Sequence, residues 1–520
     1  MSDLVRRLAL SSGRAPRGDA ARLIEERLRL LSGLGEEERA QGLAQRFADI
    51  SGERAAWPSR IQRLLYRGDL SRACAEAENE LLAEPPAEIA PLTLEIPVGD
   101  DPNAVPPQPD TTSMQSAPPP LSASQILARK LRALCYVAAE EPDAAQVAID
   151  LLRAQGIEDA WFFTAVLSAT GLGGEAKPIG DFSNGLNAAT SVLAGLRAPS
   201  NVFDIVPPTA LALLSENPEV PPAMRVEAAT RGYERGQIAP ADYRSFLRGF
   251  VGDTTVQAPA LSYLRALADA EAGSDTETAW AIATRGFLQA SAGQASSFRR
   301  AALFALPDIE ALPPITEFGP DAVWFARAAA ATGELGLAAL WRAAAEPVPF
   351  EPAPTDLASE PFVVDPATGL LVPLPVTPPP APPPQASPAA LADLDGVLLV
   401  AGLAPDGEVS AQTPLNSLAL ASFLGAPLSA AERARLTGVS AAPARGASVP
   451  EGLLMRMTAA AIAGAQGETA LLAAQAAGRQ PETLPLRDLV TIMSALKEAG
   501  LPDDARALAL DVVLAQRPPG

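Results

Sequence analysis

No histidine occurs among the 520 residues of the chain. That absence removes Ser–His–Asp and Cys–His catalysis, imidazole-ligated metals and the usual near-neutral general base. Cysteine is almost as scarce, with only Cys74 and Cys135. Two thiols supply neither the four ligands of a structural zinc site nor a disulfide framework. Both sit among alanines in helical patterns, so they read as small buried apolar side chains, with a redox pair as the second reading. Lysine appears three times, at Lys130, Lys177 and Lys497, and none has the neighbours of a Gly-x-x-x-x-Gly-Lys-Ser/Thr phosphate loop. Gly171-Leu-Gly-Gly174 follows a helical pattern rather than a strand, which makes it a helix ending and not a dinucleotide fingerprint.

Aromatic residues make up only 5% of the chain. Trp57, Trp161, Trp280, Trp324 and Trp341 fall one to a helical stretch and read as core anchors rather than sugar platforms. Long apolar runs are also missing. The best membrane candidate, 457–478, is broken mid-span by Gln466, Gly467 and Glu468, which suits a helix hairpin better than a bilayer crossing. The start Met1-Ser-Asp-Leu-Val-Arg-Arg has no uninterrupted apolar stretch before Arg14 and Arg17, so a cytoplasmic location is expected.

What the chain does have is alanine, proline and acid. Apolar residues form 48% of it, ample for a core, and alanine dominates them, which favours closely packed helices. The formal charge is −21 and the isoelectric point about 4.6. Nucleic acid, which rewards clustered Lys and Arg, is a poor partner for such a surface. Residues 1–80 carry 14 Arg against 13 Asp and Glu, so the acidity lies in the remainder. A solvated surface is its first reading, and a docking surface for a basic protein its second.

Prolines are concentrated. Residues 84–121 hold 11 and 346–388 hold 15, half of the total of 52, and neither segment contains Lys or Arg. Lacking a backbone donor and disfavouring helix at the preceding residue, proline makes these linkers. The expected division is an N-terminal helical block at 1–83, a central block at 122–345 and a C-terminal block at 389–520. Within the second linker, Phe362 to Val372 suits a small hairpin around Pro366–Gly369, or a strap docked along the helices.

The helical blocks share one punctuation. Ile126-Leu127, Leu131, Leu134-Cys135 and Ala138 mark one apolar face, and Pro142-Asp143 opens a second helix expected to bury Val147, Ala148, Leu151 and Leu152 before Gly156 stops it. Leu486, Leu489-Val490, Met493 and Leu496 form another face ended by Gly500, followed by a helix through Leu508, Val512 and Val513. A Gly or Pro followed by an acid introduces the second helix at Gly68-Asp69, Pro142-Asp143, Gly333-Glu334, Gly467-Glu468 and Pro502-Asp503. The acid there complements the positive end of the helix dipole. The last two of these turns lie 35 residues apart, near the tetratricopeptide period. Helix pairs such as Gly68-Asp-Leu-Ser-Arg-Ala-Cys74 therefore resemble divergent tetratricopeptide or Sel1-type repeats over about a third of the chain. The large aromatic and Gly-Tyr signature positions of that family are mostly missing. What the resemblance implies is an α-solenoid for protein–protein scaffolding.

Three motifs could carry chemistry. Ser494-Ala-Leu-Lys497 matches Ser-x-x-Lys, in which lysine activates a serine one helical turn away, but no Ser-Asp-Asn or Lys-Thr-Gly accompanies it. Lys497 suits a helix C-terminus. Asp393-Leu-Asp395-Gly396 resembles the middle of a calcium loop, yet Leu391 and Gly402 occupy ligand positions, and an acidic helix segment fits better. The adjacent carboxylates Asp100-Asp101 and Asp503-Asp504 fall in a linker and at a helix start, neither suited to a glycosidase pair.

The sequence thus points to an all-α, irregular α-solenoid of helix hairpins in two or three blocks, with no catalytic, cofactor or metal residue assigned. The expected function is a non-catalytic scaffold or adaptor binding other proteins. A helical-toroid enzyme working through carboxylates alone and an envelope-associated assembly factor are the alternatives.

Overall fold

A computed structural model describes residues 53–82, 121–172, 177–273, 275–346, 362–364, 371–373, 385–404, 409–437, 448–478 and 480–516. The fold is all-α, built from helix hairpins that pack in succession. The expectations placed on 1–52, 84–120 and Asp100-Asp101 lie outside the described residues.

The described helices fall into two compact units that meet in sequence at Ile238–Ala239. This boundary cuts the central block expected over 122–345. The reason is that packing crosses both Pro-rich segments, which therefore do not separate the units.

In the first unit, α1 (Glu53–Arg67) and α2 (Leu70–Leu82) precede the first Pro-rich segment, and α3 (Ala123–Ala138) and α4 (Pro142–Ala154) follow it. Next come α5 (Ala160–Ala169), α6 (Gly185–Leu193), α7 (Val202–Ile205), α8 (Leu211–Glu216) and α9 (Pro222–Glu234). Helix α2 packs on α3, and α1 on α6 and α8. One core joins Trp57, Ile61 and Leu65 of α1 to Leu131, Leu134, Ile149 and Phe162. The α1–α2 turn depends on Gly68, whose φ is +83°. A Cβ there would also meet Asn217 Oδ1 at 2.5 Å, while Asn217 donates to the Tyr66 carbonyl at 3.2 Å.

Two expectations for this unit are corrected. The cysteines are not free: Cys74 of α2 and Cys135 of α3 form a disulfide, with Cα atoms 5.9 Å apart. They lie 61 residues apart in sequence, and only the direct packing of α2 on α3 brings them together. Helix α4 buries only part of the face expected, since Leu152 is in the core and Ala148 packs against it while Val147 and Leu151 are not. Ala145, Ile149 and Leu152 are buried, whereas Val147 and Leu151 are 58% and 57% exposed. Both diagonals have helical spacing, and the packing of α3 selects one of them.

The second unit contains α10 (Pro240–Arg248), α11 (Pro259–Glu271), α12 (Thr276–Ala290), α13 (Ala295–Ala311), α14 (Gly319–Thr332) and α15 (Leu335–Ala344). An antiparallel pair follows, β1 (Phe362–Val364) with β2 (Leu371–Pro373), in the register Val363 opposite Val372. It brackets the turn expected at 366–369. The remaining helices are α16 (Pro388–Ala401), α17 (Leu415–Leu424), α18 (Ala430–Thr437), α19 (Glu451–Ile462), α20 (Gln466–Ala477), α21 (Leu486–Glu498) and α22 (Pro502–Leu514). Each of the five Gly/Pro-acid turns lies at the start of a second helix, those of α2, α4, α15, α20 and α22. The segment 457–478 is divided between α19 and α20, and no described helix is long and apolar enough to cross a membrane.

Helices α14 and α16 pack on each other and are buried almost all round. Such helices are apolar on every face in most proteins. Here they carry Asp321 and Arg327, and Asp393 and Asp395, all under 9% exposed. Arg327 pairs with Asp393, and Arg342 of α15 donates to Asp395 at 2.6 Å. The Arg327 guanidinium also donates to the carbonyls of Val513 (3.3 Å) and Leu514 (3.2 Å), capping the end of α22. Arg285 of α12 reaches Asp321 at 2.6 Å, and Arg299 of α13 reaches Asp511 of α22 at 3.4 Å. Helices α16 and α17 approach closely at Gly396, where a Cβ would meet the Ser417 Cβ at 2.8 Å.

Closing a loop of 61 residues stabilises the first unit by about 4 kcal/mol through the entropy of the unfolded chain. Protein unfolded without reductant should therefore take up no thiol alkylating agent, and two equivalents after reduction. Its melting point should fall on reduction. Two alkylated cysteines in unreduced protein would contradict the bridge.

Candidate functional site

A cleft lies among the second unit's first helices, α10 to α13. Its deep wall is a polar cluster. Arg244 of α10, only 9% exposed, clasps Asp308 of α13 in a two-pronged pair, Nη2 to Oδ1 at 2.7 Å and Nη1 to Oδ2 at 2.8 Å. Arg244 Nη1 also donates to the Phe304 carbonyl at 2.9 Å. The Tyr263 hydroxyl of α11 donates to Asp308 Oδ2 at 2.6 Å and lies 3.0 Å from Thr284 Oγ1 of α12. Four helices thus contribute to one network. Aromatic rings enclose it, with Tyr263 stacked on Phe287 at 4.6 Å and the Arg244 guanidinium 5.4 Å from the Phe304 ring centre. One donor is left over: Arg244 Nε is buried with no partner.

The cleft has a volume of about 200 Å³. Leu264 and Leu267 line it, together with Trp280, Arg244, Arg248 and Glu271. The two leucines are buried and Trp280 is half-buried, its indole N–H donating to the Leu267 carbonyl at 3.3 Å. Arg248 and Glu271 are exposed, the last residues of α10 and α11 respectively. Arginine at a helix C-terminus complements the dipole; a glutamate there opposes it.

Elsewhere the described buried acids all have partners. Asp321, Asp393 and Asp395 are held by arginine, as is Asp308. Asp488 accepts from the Val449 N–H at 2.9 Å, and Glu432 from the N–H groups of Val409 (3.1 Å) and Ser429 (2.5 Å). Burial pushes Asp321, Asp393 and Asp511 above the usual carboxylate range, while Arg285, Arg327 and Arg299 respectively pull each back. No cluster of His, Cys, Asp or Glu able to hold a metal occurs among the described residues.

The motifs marked in the sequence fall into structural positions. Lys497 donates to the Phe423 carbonyl at the end of α17 (3.2 Å), with its ammonium 4.8 Å from that residue's ring centre. Asp393 and Asp395 lie in helix α16 as expected, and both are buried. Asp503 and Asp504 occupy the first turn of α22. Trp57 and Trp341 are buried core anchors, whereas Trp161, Trp280 and Trp324 are only half-buried. The cluster around Arg244 was missed because its members are spaced irregularly and meet only on folding. The alternation of Arg and Tyr with apolar residues in 243–248 and 261–267 gave no signal of it.

Comparison with protein-family models, with curated proteins and with solved structures finds no match to this chain.

Burial, and then the neighbouring Asp308 charge, push the Tyr263 hydroxyl well above the ordinary tyrosine value. Its neutral form therefore contributes stability that is complete below the unfolded value, about pH 10, and is lost as pH rises beyond it. In an alkaline titration read by phenolate absorbance, Tyr263 should ionise only with unfolding. Tyr263→Phe should leave the earlier rise unchanged, remove one tyrosine from the unfolding step, and cost about 1.5–3 kcal/mol of stability. A loss from the earlier rise would show that Tyr263 is accessible in the native state.

Proposed function

We propose that the protein is a non-catalytic helical-repeat scaffold that presents apolar helix faces to other proteins. The observation that carries this reading is the outer face of the α19–α20 hairpin. Met455, Ile462 and Leu471 are 68%, 73% and 56% exposed there. Ala459 and Ala463, also exposed, continue the row along and just beyond α19, at the spacing of one helix face. Apolar side chains grouped on a surface mark interaction sites, whereas single ones carry no such meaning. Val147 and Leu151, one turn apart on α4, offer a second apolar pair in the first unit.

The helix pairs opened by Gly/Pro-acid turns support kinship in design with tetratricopeptide-type scaffolds. The net charge of −21 suits a partner whose apolar patch is edged by basic residues. Against the alternative of a carboxylate enzyme stands the engagement of Asp308, Asp321, Asp393 and Asp395 by arginine, since a general acid needs a proton that such a neighbour disfavours. The Cys74–Cys135 bridge favours an oxidising compartment over the cytoplasm, because cytosolic thiols are kept reduced.

A photo-crosslinking amino acid at position 455 or 462 should give the same discrete protein adduct in the native cell. The same group at exposed Glu310 of α13 should not. Met455→Glu should remove the adduct formed from position 462 while leaving the melting temperature unchanged. Equal labelling from all three positions would overturn the reading.

A further inference from the structure

The cleft of α10 to α13 combines features that a surface hollow between helices does not need. At about 200 Å³ it is smaller than the roughly 300–1,000 Å³ of sites for drug-sized ligands, which sets the size of any occupant. Leu264 and Leu267, which line it, are apolar and buried, and Trp280 lines it with them. Its two unneutralised charges are of opposite sign. Arg244 and Asp308 cancel each other in their two-pronged pair, leaving Arg248 and Glu271, which have no ion-pair partner among the described residues. These two do not meet within the distance of an ion pair although they line the same small cleft. The Arg244 Nε, which has no protein acceptor, is buried below the cleft surface and offers nothing to an occupant. Glu271 ends a helix, where the backbone carbonyls repel its charge, and a bound cation would relieve that repulsion.

We propose that this cleft binds a small zwitterion of the amino-acid class, with its carboxylate on the Arg248 side and its ammonium toward Glu271 and Trp280. Arginine suits the carboxylate because its planar fork matches the two oxygens. An ammonium gains both from Glu271 and from the electron-rich indole face. The ligand's side chain takes the place of water over Leu264 and Leu267. Because both end groups are read, a molecule with only one charge leaves the opposite protein charge unpaired in the cleft. Binding here is independent of the scaffold reading, which rests on different helices.

The test is equilibrium binding of a panel of the standard L-amino acids to the full chain, by calorimetry and ligand-observed NMR. At least one apolar or aromatic amino acid should bind saturably. Its amide, which lacks the carboxylate charge, and its des-amino acid, which lacks the ammonium, should each bind about tenfold more weakly or worse. Arg248→Gln and Glu271→Gln, at exposed positions, should melt like the unaltered protein. The first should abolish the preference for the free acid over the amide, the second the preference over the des-amino analogue. Absence of saturable binding across the panel would overturn the proposal. So would equal binding of the charged and singly charged ligands, or affinity unmoved by both variants.

Discussion

The second unit depends on arginine–aspartate pairs that hold buried helices to one another. Helices α14 and α16 lie at its centre, and each would be a plain apolar helix but for its charges. Burying a lone charge costs several kcal/mol, so these charges persist only as pairs, and each pair requires two particular helices to meet in one register. Arg327 joins α14 to α16 and caps α22, Arg342 joins α15 to α16, and Arg285 joins α12 to α14. Arg244 and Asp308 do the same for α10 and α13. In an alanine-rich interior, where small side chains permit many sliding arrangements, such pairs select one arrangement from several of similar apolar burial.

Arginine is suited to this task in a way that lysine is not. Arg327 serves an aspartate and several helix-terminal carbonyls at once, and Arg265 collects the carbonyls of Phe250, Val251, Asp253 and Val256 in the connection after α10. A fixed fork of five donors satisfies several acceptors with one immobilised side chain. The chain's near-exclusive use of arginine, with only three lysines, thus has a structural consequence whatever its origin. The first unit uses a different tie, the covalent bridge between α2 and α3 across the long Pro-rich segment.

Local features of this architecture were legible in the sequence, and nonlocal ones were not. Helix starts at Gly68, Pro142, Gly333, Gly467 and Pro502 could be read because a turn residue and an acid act within one helical turn. The pairing of Cys74 with Cys135 could not, since it depends on how two helices meet across a segment with no readable geometry. On α4 the expected burial of Leu152 holds, but Ala145 and Ile149 are buried in place of Val147 and Leu151, because the two pairs share the same spacing and the neighbour decides between them. The partners Arg285–Asp321, Arg342–Asp395, Arg244–Asp308 and Arg327–Asp393 lie 36 to 66 residues apart, and Arg299–Asp511 much further, so all resemble ordinary surface charges until folding brings them together. Glu271, Arg248 and Trp280 likewise become a cleft only once α10, α11 and α12 are packed.

The claim that these pairs hold the second unit together is tested most directly by a double-mutant cycle on Arg327 and Asp393. Urea unfolding of Arg327→Met, Asp393→Leu and the double variant should be followed by tryptophan fluorescence. Each single change strands a buried charge and should cost about 3–5 kcal/mol. The double change strands none, so its cost should fall short of the sum by about 2 kcal/mol or more. Single variants within about 0.5 kcal/mol of the unaltered protein, or costs that simply add, would contradict the account.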